Sequence, residues 1–300
     1  MKILDETAVR SLLKMEELIP VIAGSLADLS SKKAIQPVRM VLPVADHKGF
    51  FGVMPAYNGA LGAKIVTFYP QNKDVHTHHG VILLFRPETG EPIAVIDGRL
   101  ITEMRTAAAS AVATDLLARR DAEVLAILGS GVQAHSHLEA LRLVRKFSEV
   151  RVWSPRNAKA FADSHDGVTA VETAEESVRG ADVIVVATSS MTPVLEGKWL
   201  SPGAHINAVG ANRPTWRELD DAVLAAAKIF VDSRAAALVE SGDVIAAGHI
   251  FAEIGEVVAG TAQGRESDDE ITLFKSLGAA VEDIATADLV YKKAMKDEPR

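Results

Sequence analysis

The chain of 300 residues contains no cysteine. That excludes disulfides, iron–sulfur clusters, thiolate zinc and a cysteine nucleophile. No apolar run approaches the roughly 20 residues needed to cross a bilayer. The opening Met1-Lys2-Ile3-Leu4-Asp5-Glu6 lacks the apolar core of a secretory leader. Cytoplasmic location and no membrane partner are therefore the expectation. Positive charge is in deficit, with 32 lysines and arginines against 40 acids and a formal net charge of −8. That balance disfavours nucleic acid as a partner and leaves room only for a local basic pocket. Internal repeats and low-complexity tracts are also missing. What remains is 48% apolar and 24% charged, the balance of a globular protein long enough to bury a substantial core.

The most informative stretch runs from Val124 to Ala134. Val124-Leu125-Ala126-Ile127-Leu128 reads as a buried strand, Gly129-Ser130-Gly131 as a tight turn, and Val132-Gln133-Ala134 as the start of a helix. Gly129 suits the turn, Gly131 lets a pyrophosphate approach the backbone, and Ala134 lets helix and strand pack closely. Free N–H groups and the helix dipole then face the phosphates. A glycine turn alone can be purely structural; the flanking strand and helix are what favour a dinucleotide.

Upstream and downstream of this stretch the pattern differs. Residues 5–30 carry a helical stripe of Val9, Leu12, Leu13, Leu18, Ile22 and Leu26, which Pro20 is expected to interrupt. Short apolar segments at 39–44, 49–55, 63–69, 81–85 and 92–96 are separated by turns and suggest an antiparallel sheet. After a helix over 99–120, strands (124–128, 150–153, 168–171, 182–187, 204–209, 228–232) alternate with helices (131–146, 156–164, 174–179, 217–227). Helices at 234–247, 250–260 and 276–297 close the chain. The fold class is α/β, with a Rossmann-type parallel sheet expected in the second part. The last helix is expected to pack back on the first part.

Candidate functional residues follow from chemistry. Ser154 and Arg156, just after the second strand of the alternating region, stand where an NAD-specific unit would carry an acid. A hydroxyl and a guanidinium suit a 2′-phosphate, which favours NADPH over NADH, with NADH kept open. Arg39, Lys64 and Arg105 are cations beside apolar segments; converging, they would bind a carboxylate, whereas singly each reads as a surface charge. His76-Thr77-His78-His79 invites a metal reading, but zinc wants three or four fixed ligands and adjacent histidines of a loop or strand point to different faces, so a polar loop or substrate contact is favoured and no metal is expected. His135 and His137 read as helix-surface residues. Arg217-Glu218-Leu219-Asp220-Asp221 reads as an acidic first helical turn, and Asp268-Asp269-Glu270 as a solvated loop.

Several segments together resemble the ornithine cyclodeaminase/mu-crystallin family along nearly the whole chain, and within it the mu-crystallin (ketimine reductase) branch. They are Gln36-Pro37-Val38-Arg39, Gly52-Val53-Met54-Pro55-Ala56-Tyr57, Lys64 to Tyr69, Arg105-Thr106-Ala107-Ala108, Leu128 to Ala134, Gly203 to Ala211, Trp216 to Asp221 and Phe274-Lys275-Ser276-Leu277-Gly278. The resemblance implies a substrate-binding and dimerisation domain of residues 1–115 with 280–300, a Rossmann domain of residues 116–279, and a homodimer. It implies that Arg39, Lys64 and Arg105 hold a substrate carboxylate and that His78 faces the substrate. It also implies that Thr106, Ala187, Thr188, Val209, Ser276, Leu277 and Gly278 join Gly129–Ala134, Ser154 and Arg156 around the cofactor. The implied activity is NADPH-dependent reduction of cyclic α-imino acids, Δ1-piperideine-2-carboxylate and Δ1-pyrroline-2-carboxylate. Ornithine cyclodeaminase, alanine dehydrogenase and thyroid-hormone-binding readings stand as alternatives. Against the cyclodeaminase, Asn212 stands where that branch and the alanine dehydrogenases carry an aspartate.

Overall fold

The structure is a computed structural model and describes residues 1–296. In chain order the first elements are β1 (Lys2–Leu4), α1 (Glu6–Leu12), α2 (Met15–Ser30), β2 (Met40–Val44), β3 (Gly49–Tyr57), β4 (Leu61–Phe68), β5 (His78–Phe85), β6 (Pro92–Asp97) and α3 (Arg99–Leu117). They are followed by β7 (Val124–Leu128), α4 (Val132–Val144), β8 (Glu149–Trp153), α5 (Ala158–Asp163), β9 (Val168–Ala170), α6 (Ala174–Val178), β10 (Val183–Val186), β11 (His205–Ala208) and α7 (Asp221–Ala226). The chain ends with β12 (Ala227–Val231), α8 (Arg234–Glu240), α9 (Gly242–Ala247), β13 (Ala252–Glu253), α10 (Ile254–Val258), β14 (Ile271–Lys275) and α11 (Ala280–Lys296). Two compact units result: Met1–Arg105 with the chain from Gly278 onward, and Thr106–Leu277. The expected boundary at residue 115 and the observed one after Arg105 both fall within α3. Residues 297–300 of the expected first domain lie outside the described residues.

The first unit is a six-stranded sheet in the order β1-β6-β5-β4-β3-β2. Its strands pair antiparallel except for β1 and β6, which run parallel. Helix α11 packs on β3, β4 and β5 and against α2. Gly62 makes that approach feasible, since a Cβ there would lie 2.8 Å from Ile284 Cδ1. Asp5 caps α1 by accepting from the Ala8 N–H. The helical break falls at Leu13-Lys14, where the backbone is extended, and not at Pro20, which sits inside α2. Pro20 is exposed, so the one carbonyl it leaves unbonded can turn to water, while Met15, Leu18, Ile22 and Leu26 on the other face are buried.

The second unit is an eight-stranded, wholly parallel sheet in the order β13-β12-β14-β11-β10-β7-β8-β9. All four residues of β10 and all four of β11 are buried, as expected of strands covered on both faces. The order reverses between β7 and β10, the switch point at which doubly wound sheets bind ligands beyond the carboxyl ends of their strands.

Four expected elements differ here. The helix expected over 217–227 begins only at Asp221, because Leu219 is held extended in a bridge to Leu195 and Asp220 is the N-cap. The segment 234–247 is two helices, divided at Ser241, whose side chain caps the second. Residues 250–260 hold β13 and the short α10, and the last helix starts at Ala280; the expected residue 297 lies outside the described residues. Strands β1 and β14 were not expected.

Candidate active site

In the first unit the three cations come together. Lys64, on β4, and Arg105, on α3, are 2% and 4% exposed, and Arg39 is half-buried. Such burial demands partners, and α11 supplies them. Lys64 Nζ lies 2.6 Å from Asp283 Oδ2. Arg105 donates from Nε to Asp283 Oδ1 and from Nη1 to Glu282 Oε2, both at 2.9 Å. Lys64 also donates to Thr102 Oγ1 at 3.4 Å. Arg39 donates to the Gly278 carbonyl at 2.9 Å. Gly278 has φ +81°, and a Cβ on it would run into the Arg105 guanidinium. The cluster thus requires glycine at that corner.

Charge in this cluster is finely divided. Burial pulls the Lys64 pKa down to about 8; Asp283 opposes the shift, while Arg105 and Arg39 add to it. For Asp283 burial works against ionisation, but Arg105 and Lys64 outweigh it and hold the carboxyl below its ordinary value. For Arg105 burial is likewise outweighed by Asp283 and Glu282, which raise its pKa. Lys64 and Arg105 thus meet the two carboxylates of α11 with Arg39 beside them, a cluster of cations of the kind that can take an incoming carboxylate.

His78 opens β5 opposite Phe68, and the two rings lie 4.5 Å apart between centroids. The register pairs Lys64 with Ile82 and Phe68 with His78, so His78 shares the sheet face of Lys64, four residues along. It is exposed. Among the described residues no group of three or more histidines and acids could hold a metal.

In the second unit the glycine turn links β7 to α4. Gly129 has φ +118°, and a Cβ there would strike the Ala187 carbonyl, so the turn needs glycine. Gly131 is the N-cap of α4, and a Cβ built on it meets nothing within 4 Å. That opening, beside the helix start of Val132 and Gln133, fits a pyrophosphate. Ala134 is completely buried. Ser130 Oγ donates to Ser154 Oγ at 2.9 Å, tying the glycine turn to the end of β8, where Arg156 is exposed. Ala187 and Thr188 follow β10, Val209 follows β11, and Ser276 and Leu277 follow β14, all at the carboxyl edge of the sheet. Asp232 Oδ2 accepts from the Leu277 N–H at 2.7 Å. Thr106, nearly buried, is the residue of α3 at which this unit begins.

Some placements correct the sequence reading. His137 is not on the helix surface: it is buried, with Nδ1 2.7 Å from the Gln133 carbonyl and Nε2 2.9 Å from Ser110 Oγ. Burial lowers its pKa to about 4, so it is neutral. His135 is exposed as expected. Glu218 is not a first-turn acid but a buried acceptor of four hydrogen bonds. Glu282, Asp283, Glu218, Asp243 and Lys275 were all missed as site residues. For Glu282 and Asp283 a signal existed: two adjacent acids inside the apolar run Leu277 to Ala287.

A parallel sheet with this switch point and glycine turn, in one chain with a second unit bearing a buried cation cluster, defines the class of two-unit α/β dinucleotide-binding oxidoreductases. More narrowly, the chain belongs to the ornithine cyclodeaminase/mu-crystallin family, whose profile matches residues 1–298. It is 50% identical over 286 residues to the ketimine reductase mu-crystallin of Mus musculus, covering 91% of each chain. The solved Thermococcus litoralis Δ1-pyrroline-2-carboxylate reductase, in complex with NADH and L-proline, superposes with a TM-score of 0.96 at 40% identity, covering 99% of this chain and 98% of that one. An archaeal alanine dehydrogenase dimer with bound NAD superposes with a TM-score of 0.94 at 37% identity, covering 99% and 96%.

Proposed function

We propose that this protein is an NADPH-dependent ketimine reductase that converts cyclic α-imino acids, Δ1-piperideine-2-carboxylate and Δ1-pyrroline-2-carboxylate, to pipecolate and proline. The observation that carries this reading is the convergence of Arg39, Lys64 and Arg105 on one corner of the first unit, the last two held by Glu282 and Asp283. In this reading the three cations take the substrate carboxylate through charge-assisted hydrogen bonds. Holding the carboxylate fixes the imine carbon, so the entropy of orientation is met on binding. Lys64, with a pKa of about 8, is protonated at neutral pH and close enough to its deprotonation point to give a proton to the imine nitrogen. An iminium accepts hydride far better than a neutral imine. His78, its ring tilted against Phe68 along the same face, borders the substrate ring.

The second unit in this reading holds the dinucleotide. Gly129–Ala134 receive the pyrophosphate, Ser154 and Arg156 the 2′-phosphate, and Ala187, Thr188, Val209, Ser276 and Leu277 border the nicotinamide, with Thr106 also against the cofactor. The bound cofactor supplies the hydride. Support for a nicotinamide dinucleotide comes from the NADH and NAD held by the two solved relatives. The choice of NADPH rests on Ser154 and the exposed Arg156. The choice of reductase over cyclodeaminase rests on Asn212, which offers an ornithine ammonium no charge.

The protein is proposed to work as a homodimer. The edge strand β2 and the residues before it expose Val38, Met40, Val41 and Leu42, an apolar edge that a monomer would be expected to blunt. The archaeal relative described as a dimer agrees with this.

The deciding experiment is NADPH oxidation against a panel of cyclic ketimines and of α-keto acids with amines, beside ammonia release from ornithine with NAD. Turnover of the cyclic ketimines is expected. Ammonia release without ketimine turnover would replace this reading with the cyclodeaminase, and turnover of pyruvate plus ammonia alone would replace it with alanine dehydrogenase.

A further inference from the structure

Three strand ends of the second unit converge on one buried carboxylate that the reading above does not use. Glu218 is 0% exposed. Its Oε1 accepts from the Thr188 N–H at 2.9 Å and from Thr188 Oγ1 at 2.6 Å. Its Oε2 accepts from the Gly210 N–H at 2.8 Å and the Ala211 N–H at 2.7 Å. Thr188 follows β10, and Gly210-Ala211 follow β11. The carboxylate is itself braced: Asp243 Oδ1 accepts from the Glu218 and Leu219 N–H groups at 3.1 and 3.2 Å. Asp243 Oδ2 in turn pairs with Lys275 Nζ, the end of β14, at 3.0 Å, and both of these side chains are wholly buried.

Three of the four donors to Glu218 are backbone N–H groups. An amide in its place would turn an NH₂ toward at least one of them, whichever way it was flipped, so the position selects a carboxylate. Burial raises the Glu218 pKa, while Lys275 and the donors act to keep it ionised. Gly210 fits the arrangement because a Cβ there would strike the Glu218 carboxylate and the Thr188 carbonyl. A charge buried this deeply costs desolvation, and a hydrophobic replacement often does as well for stability. What the charge adds here is registration of two loops that share no ladder of their own. In a doubly wound sheet, β7, β8 and β9 form the half that starts with the glycine turn, and β10, β11 and β14 form the other mononucleotide half.

We propose that Glu218 is a positioning residue for the nicotinamide half of the cofactor: its carboxylate latches Thr188 to Gly210-Ala211 as one preformed rim, with Asp243 and Lys275 as its brace. The proposal rests on the dinucleotide reading above and adds a residue to it.

The test is calorimetric titration of the full-length protein with NADPH, NADP⁺ and 2′-phospho-ADP-ribose, which keeps the adenosine and pyrophosphate but lacks the nicotinamide. Glu218→Gln is expected to weaken both complete dinucleotides by roughly tenfold or more and to leave the fragment within about twofold of wild type. Thr188→Val removes one donor and keeps every backbone N–H, so it carries the same test if Glu218→Gln fails to fold; a smaller loss in the same direction is expected. Equal weakening of fragment and dinucleotide would overturn the latch, since Glu218 would then merely support the unit as a whole. Unchanged binding of all three would overturn it as well. A wild-type protein that binds none of the three, nor NADH, would overturn the dinucleotide reading, and the latch with it; one that binds NADH alone carries the same comparison with NADH, NAD⁺ and ADP-ribose.

Discussion

Lys64 and Asp283 form an ion pair of 2.6 Å with both side chains sealed from solvent. The pair joins a strand near the start of the chain to a helix at its other end, and it sets the protonation of the residue assigned as proton donor. Because burial and the neighbouring arginines bring the Lys64 pKa down to about 8, Lys64 carries its proton below that pH and loses it above. The pH profile of kcat/KM for ketimine reduction is expected to fall as pH rises through about 8. Lys64→Arg should remove that limb from the accessible range. Asp283→Asn, which deletes the charge that raises the Lys64 pKa, should move it to lower pH. Lys64→Met should cost roughly 10²–10⁴-fold in kcat/KM. A limb that stays put in both conservative variants would belong to the substrate and not to Lys64.

Arg39 and Arg105 should separate binding from stability. Arg105→Ala takes the guanidinium away from the buried Glu282 and Asp283 and leaves Lys64 as the cation on Asp283, so it is expected to cost about 3–5 kcal/mol of folding stability as well as substrate affinity. Arg39 is half-buried and bonded to a carbonyl. Arg39→Ala should raise KM roughly tenfold or more with little change in Tm. Thermal denaturation beside steady-state kinetics reads both effects. An unchanged KM in Arg39→Ala would remove it from the carboxylate clamp.

Arg156 stands exposed beyond Ser154. Arg156→Ala is expected to weaken NADPH by roughly ten- to a hundredfold, the worth of a hydrogen bond to a charged group, and to leave NADH unaltered. Equal losses for both cofactors, measured by fluorescence titration, would reject the 2′-phosphate contact.

Met40 and Leu42 alternate on one face of the edge strand β2 and are 60% and 58% exposed. The double variant Met40→Lys with Leu42→Lys is expected to shift sedimentation from dimer to monomer. A wild-type monomer would defeat the proposed assembly, as would a variant that stays dimeric.

Much of the fold follows local rules, and that part was legible. The strands of the antiparallel sheet and the alternation after Val124 are written in runs of apolar residues and turns. The glycine turn announced itself because backbone geometry there admits nothing larger at Gly129. The cations Arg39, Lys64 and Arg105 were visible as residue types, but their meeting was not, since it depends on acids near the other end of the chain. Glu218 was misread for a related reason. An acid just before a helix is a common dipole partner, and only the approach of Thr188 and Gly210 makes it an acceptor of four bonds. His137 sits on α4 with a period that allows either face, and Ser110 on α3 decides it.

The acids that neutralise the cation cluster also bear on how the protein is made. Residues 106–277 form one continuous unit that can close as soon as they leave the ribosome, whereas the first unit waits for Glu282 and Asp283. Until α11 emerges, Lys64 and Arg105 lack counter-charges and the sheet lacks its covering helix. The chain's earliest residues are thus completed among its last, an order that makes the amino-terminal sheet the aggregation-exposed part of the nascent polypeptide.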